Sequence, residues 1–117
     1  MQKVFIPLIL SLFYLAFLPG NASAEISARD YQSYKDDDAF RLMIHGMGLA
    51  YSWANIAIQH EGDSPLYCPP SDLRADANMH LSILNEEFDA NSRVYLEDDI
   101  PIALVLLRGL KAAFPCD

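Results

Sequence analysis

The sequence is short of positive charge. Its 117 residues hold eight Lys and Arg against sixteen Asp and Glu, with three His. A chain with so few cations has little with which to displace counterions from phosphates, so nucleic acid is excluded as an expected partner. Glycine is also scarce. The one close pair, Gly46 and Gly48, is not a phosphate-cradling loop, and a chain of this length is too short to hold a cofactor fold beside a substrate lobe. His45, His60 and His80 lie far apart, with no Cys or second His three or four residues away, so no zinc spacing is present and no metal or cofactor is expected. No nucleophile stands beside a base, and the acidic run Glu97-Asp98-Asp99 has no partner group, so the chain is not expected to be an enzyme. Alternating strand patterns, repeats and low-complexity tracts are missing as well.

What is present begins with an export signal. Met1-Gln2-Lys3 supplies a positive start, Val4 to Leu18 an apolar stretch, and Ala22-Ser23-Ala24 a small-x-small ending that predicts cleavage before Glu25. The stretch is shorter than the about 20 residues a spanning helix needs, so no membrane span is expected once it is removed. The reading is therefore a cleaved signal over 1–24, a single helical domain over 25–117, and a periplasmic location. Losing Lys3 takes the formal net charge from −8 to −9. An acidic body of this kind favours a basic protein partner, or serves solubility alone.

Export governs how Cys68 and Cys116, the only two cysteines, are read. In an oxidising compartment they are expected to form one disulfide, stabilising the domain by about 4 kcal/mol on the chain-entropy model.

The pattern of apolar residues is helical throughout. Ile26, Tyr31 and Tyr34 are spaced as a short helix. Asp36-Asp37-Asp38 then reads as the start of a second, because carboxylates accept hydrogen bonds from its free amides and complement its dipole. From Ala39 to about His60, Phe40, Met43, Ile44, Met47, Tyr51, Ala54 and Ile58 follow one helical face. Leu42, Leu49, Trp53 and Ile56 form a neighbouring stripe, so this helix is either central or shared with a second copy of the chain. Gly46 and Gly48 each cost about 1 kcal/mol of helix propensity and imply close approach of another helix. His45 reads as a structural histidine.

Glu61-Gly62-Asp63-Ser64-Pro65 ends this helix, and Pro69-Pro70 keep Leu66 to Pro70 extended. Ser71 or Asp72 is expected to cap a third helix running to about Phe88, buried through Leu73, Ala77, Leu81, Leu84 and Phe88 with Ile83 alongside. Asp89 to Asp98 reads as a polar connection. Asp98 or Asp99 is expected to cap a last helix with Pro101 in its first turn and a buried stripe of Ile100, Ala103, Leu104, Leu107, Leu110 and Phe114. The fold class is all-α, a small bundle of three to four helices closed by one disulfide.

Three segments carry a family likeness: His45-Gly46-Met47-Gly48-Leu49-Ala50-Tyr51, the loop Tyr67-Cys68-Pro69-Pro70, and the ending Ala112-Ala113-Phe114-Pro115-Cys116. Over most of Ala39 to Cys116 the chain resembles the Tai/Rap family of type VI secretion immunity proteins. Where many relatives carry a further cysteine pair, this chain has Tyr31-Gln32-Ser33-Tyr34. The resemblance implies a periplasmic protein that binds and inhibits a secreted peptidoglycan amidase, often as a homodimer, here through the Ala39 to His60 helix. By the same analogy the expected contacts are Glu61, Asp63, Ser64 and Tyr67 in one loop, and Glu97 and Asp98 in the other. Two other readings are an exported helical domain of unknown role and a periplasmic acid-stress chaperone similar to the HdeA family. Protonating sixteen carboxylates would leave seven Lys and Arg plus three His, a swing to about +10.

Overall fold

A computed structural model describes residues 25–117, and the expected export signal lies outside them. Four helices follow in order: α1 (Ala28–Tyr34), α2 (Asp38–His60), α3 (Ala77–Glu97) and α4 (Ile102–Ala113). Among the described residues there is no β-strand; one isolated antiparallel bridge joins Ser27 to Pro101. The expected all-α bundle with its single Cys68–Cys116 disulfide is what the structure shows.

The start of α2 is where the aspartate run places it. Asp37 is the N-cap, and its carboxylate accepts from the amides of Ala39 at 2.7 Å and Phe40 at 3.3 Å, satisfying two donors that have no partner inside the helix. Its end is also as expected. Glu61 is the C-cap, and Gly62 follows at φ 88°, a left-handed turn that glycine takes without steric cost.

α3 differs from the expectation at both ends. Its N-cap is Asp76, which accepts from the amide of Met79 at 2.9 Å, so neither Ser71 nor Asp72 starts it. The helix runs on to Glu97, through the stretch expected to be a connection. Polar residues there are the solvated face of a helix whose other side buries Tyr95. Links four residues apart support this extension. Asn91 donates to Glu87, and Arg93 pairs with Glu97 at 3.1 Å. A single non-helical residue, Asn91, marks a kink inside it.

The turn into α4 also corrects the expectation. Pro101 occupies the N-cap position with no side-chain cap, Asp98 closes α3, and Asp99 sits at φ 47°, a left-handed conformation Asp tolerates better than most residues. Asp99 serves a different helix, because its carboxylate accepts from the amide of Arg29 in α1 at 3.1 Å. The Ser27 hydroxyl, that amide and the Arg29 charge hold its carboxyl below the usual value. Arg29 in turn donates to the carbonyls of Leu96 and Glu97, placing a cation on the negative end of α3.

The core gathers Tyr31, Phe40, Ile44, Leu84, Phe88 and Tyr95 with the buried face of α4. That face is Ile102, Val105, Leu106, Gly109 and Leu110; of the expected stripe only Leu110 is fully buried, and Leu104 faces outward. Packing on α3 decides this phase. A Cβ at Gly109 would come within 2.9 Å of Ile83 and 3.1 Å of Glu87, so glycine lets the two helices approach there. Tyr31 packs at a tilt against Phe88 with centroids 4.4 Å apart and donates its hydroxyl to Asn85. Burial, followed by the charges of Asp89 and Asp36, raises its pKa to about 12.

Candidate functional site

Three features stand out: a fastened corner at the disulfide, two acidic tips, and an apolar stripe along α2.

The corner starts from Asn55, a polar residue buried in the middle of α2. Its amide nitrogen donates to the Tyr67 carbonyl at 2.8 Å, and its amide oxygen accepts from the Leu66 amide at 2.6 Å. A side-chain amide thus completes the backbone pairing of an extended segment that two prolines keep from pairing with itself. The Cys68 amide donates to the Phe114 carbonyl at 2.8 Å, and Cys68 and Cys116 are bonded with their Cα atoms 5.0 Å apart. Loop, chain end and α2 are therefore one unit. Pattern reading missed Asn55, because a polar residue in an apolar helix looks like an interruption until its partners are known.

Tyr67 belongs to this corner and corrects its grouping with the contact residues. It is only 4% exposed, its ring faces Phe114 with centroids 6.5 Å apart, and burial raises its hydroxyl pKa. It is a strut under the loop and has almost no surface to offer.

Glu61, Asp63 and Ser64 are exposed at the tip beyond α2, and Glu97 and Asp98 are exposed at the turn beyond α3. The structure does not bring them together. The first set precedes the corner fastened to the end of α4, and the second lies just before α4 begins. The helix between those two places has 12 residues and is about 18 Å long at 1.5 Å per residue. Glu97 is also paired with Arg93, whereas Glu61 and Asp63 make no salt bridge among the described residues.

The apolar stripe is the third feature. Leu42, Leu49, Trp53 and Ile56, all on α2, are exposed, with Leu42 and Trp53 each at 71%. They lie on the outer face, so α2 is not wrapped on all sides. From Leu42 to Gln59 the chain contains no Asp, Glu, Lys or Arg. Gly46 lies on this face, and a Cβ there would meet nothing within 4 Å among the described residues, so the close approach expected of it is not made within them. Gly48 does make one. A Cβ there would lie 2.4 Å from the ring of His80, across the α2–α3 crossing.

Among the described residues, no three or more His, Cys, Asp or Glu are grouped to hold a metal ion, and no helix is long and apolar enough to cross a membrane. The open concavities are shallow. The one under α3 and α4 is lined by Ile83, Glu86, Glu87, Gly109 and two alanines, and Glu87 accepts from the Tyr95 hydroxyl. What the surface offers is convex: two acidic tips and one uncharged helical face. Compared with known protein families, curated proteins and solved structures, the chain finds no match.

Proposed function

We propose that this chain is a periplasmic, non-catalytic inhibitor that binds a secreted peptidoglycan amidase, in the manner of the Tai/Rap immunity proteins it resembles. The observation that carries the reading is the fastened corner. The two segments in which the resemblance is most specific, Tyr67-Cys68-Pro69-Pro70 and Phe114-Pro115-Cys116, are joined by a disulfide and a backbone hydrogen bond. They hold the tip at Glu61, Asp63 and Ser64 on a rigid base. A loop ordered before binding loses less entropy on contact, which suits an inhibitor that presents acidic residues to a basic groove. Because the Glu61–Ser64 tip adjoins the fastened corner and Glu97 and Asp98 do not, that tip is the proposed primary contact and Glu97 and Asp98 a secondary one.

The same reading includes a homodimer through α2. Leu42, Gly46, Leu49, Trp53, Ile56 and His60 recur at steps of four and three, the spacing of a helix–helix seam. The four large apolar members present roughly 450 Å² of surface. With the flanking Ala50 and Ala57 this approaches the about 800 Å² per partner of a standard interface.

The test is capture by the oxidised, processed chain of proteins from the secreted and periplasmic fractions of the source cell, with an amidase assay on what is bound. A single stoichiometric amidase whose activity is blocked, and whose binding is weakened at least tenfold by Asp63→Lys, is expected. Retention of no cell-wall hydrolase would sink the inhibitor. Sedimentation of wild type against Trp53→Asp tests the dimer separately, and equal mass for both at high concentration would remove it.

A further inference from the structure

Among the described residues one buried side chain is able to take up a positive charge, and it sits where α2 crosses α3. His80, one turn after the Asp76 cap, is 2% exposed. The edge of its ring lies against the backbone of Gly48, and its Nδ1 meets the Nδ1 of the half-buried His45 at 3.0 Å. The two rings are tilted by 39° with centroids 5.2 Å apart.

A hydrogen bond between two imidazole nitrogens needs one donor and one acceptor. One ring must carry its proton on Nδ1 and the other must keep Nδ1 bare. A first added proton can be accommodated, since the charged ring still donates to the bare nitrogen. A second turns both facing nitrogens into donors and sets two positive charges side by side in a place with little water. The bond is then lost and the contact becomes repulsive. Gly48 leaves the His80 ring no slack on its other side.

We propose that His45 and His80 form a proton-operated latch between α2 and α3, shut while one of the facing nitrogens is bare and released when both rings are protonated. Release loosens the α2–α3 crossing and leaves the disulfide corner fastened, because nothing in the Asn55–Tyr67–Cys68 contacts titrates in the same range.

The surroundings favour this behaviour. Burial first, and the like charge of His45 second, lower the pKa of His80 from the ordinary 6.5, while Asp76 acts in the opposite direction. Asp76 is itself exposed and its carboxylate accepts from the Met79 amide. On α2 the other charged residue nearby is Arg41, one turn before His45, which donates to Asn78 and adds positive charge on the same side. The buried faces of α1 and α4 bring no carboxylate: α1 contributes Ala28 and Tyr31, α4 only aliphatic residues and Gly109. The sign follows from linkage. The unfolded chain takes up the proton near pH 6.5 and the folded chain resists it. The stability held by neutral His80 is therefore complete above about pH 6.5 and is lost as pH falls through the lowered folded value.

The test is an imidazole-nitrogen NMR titration of the processed, disulfide-intact chain from pH 8 to pH 4, with amide hydrogen exchange corrected for intrinsic rates. His80 is expected to stay neutral to lower pH than a free imidazole. On its protonation, amides around His45–Gly48 and Asn78–Leu84 should open about tenfold more for each unit of its depression. Amides of Leu66, Cys68 and Phe114 should keep their protection. In His45→Asn the titration of His80 should move up towards 6.5 and the pH-dependent opening should shrink. If that variant does not fold, the wild-type titration decides alone. A His80 that titrates like a free imidazole, or an opening that is equal at both places, overturns the latch.

Discussion

Two regions fasten α2 to the rest of the domain, and they do so by different physics. At the corner, Asn55, the Leu66–Cys68 backbone and the Cys68–Cys116 bond hold it through one covalent link and neutral hydrogen bonds. At the crossing, Gly48 against His80 and His80 against His45 hold it through close packing and a bond that depends on protons. The first responds to reductant and is indifferent to mild acid, and the second is the reverse. One helix thus carries a permanent fastening and a conditional one, about seven residues apart.

Removing the corner should have the largest effect. Replacing both Cys68 and Cys116 by Ser is expected to cost about 4 kcal/mol of unfolding free energy. Urea titration would measure it, and the dependence on pH between 7.5 and 5 should survive the change. If the pH dependence vanishes with the disulfide, the two fastenings are not independent. Gly48→Ala comes next, at about 2–3 kcal/mol, because the new methyl meets the buried His80 ring at 2.4 Å. A loss under 0.5 kcal/mol would mean that the crossing has slack and the comparison is overdrawn. The smallest effect, with the opposite sign, is expected at Gly46→Ala two residues earlier. Its outward site is empty, so relief of the glycine helix penalty should stabilise the monomer by up to about 1 kcal/mol. Thermal unfolding at low protein concentration would show it as a rise in midpoint.

Much of this fold can be read from the sequence where the signal is local. Asp37 caps the residues that follow it directly, Gly62 ends a helix by its own backbone, and the two cysteines have only each other. Readings that needed a neighbour went astray. α4 is amphipathic, and Leu104, one turn before Arg108 and two before Lys111, shares their outer side, while Gly109 against Ile83 lies on the buried one. Asp99 looks like a cap for the helix after it, but Arg29, 70 residues away, takes its carboxylate. The polar stretch from Asp89 is helical because Tyr95 has a core to enter. Of the candidate site, the exposure of Glu61, Asp63 and Ser64 was legible as loop chemistry. The burial of Tyr67 was not, since it depends on where Phe114 comes to rest. His45 and His80 are 35 positions apart, and no spacing rule connects residues on separate helices.

The bridge between Ser27 and Pro101 sets the order in which the chain can be finished. The Ala28 amide reaches the Ile100 carbonyl at 2.8 Å, and the Ile102 amide reaches the Ile26 carbonyl at 2.9 Å, so the first described helix is seated by residues close to the last. The disulfide likewise waits for Cys116. α1 has partners in α3 and the proline loop has one in Asn55, but each is completed only by residues next to α4, and contacts this far apart in sequence form slowly. The two segments farthest apart in the described domain are thus joined beside the same helix, and seating α4 closes both in one step.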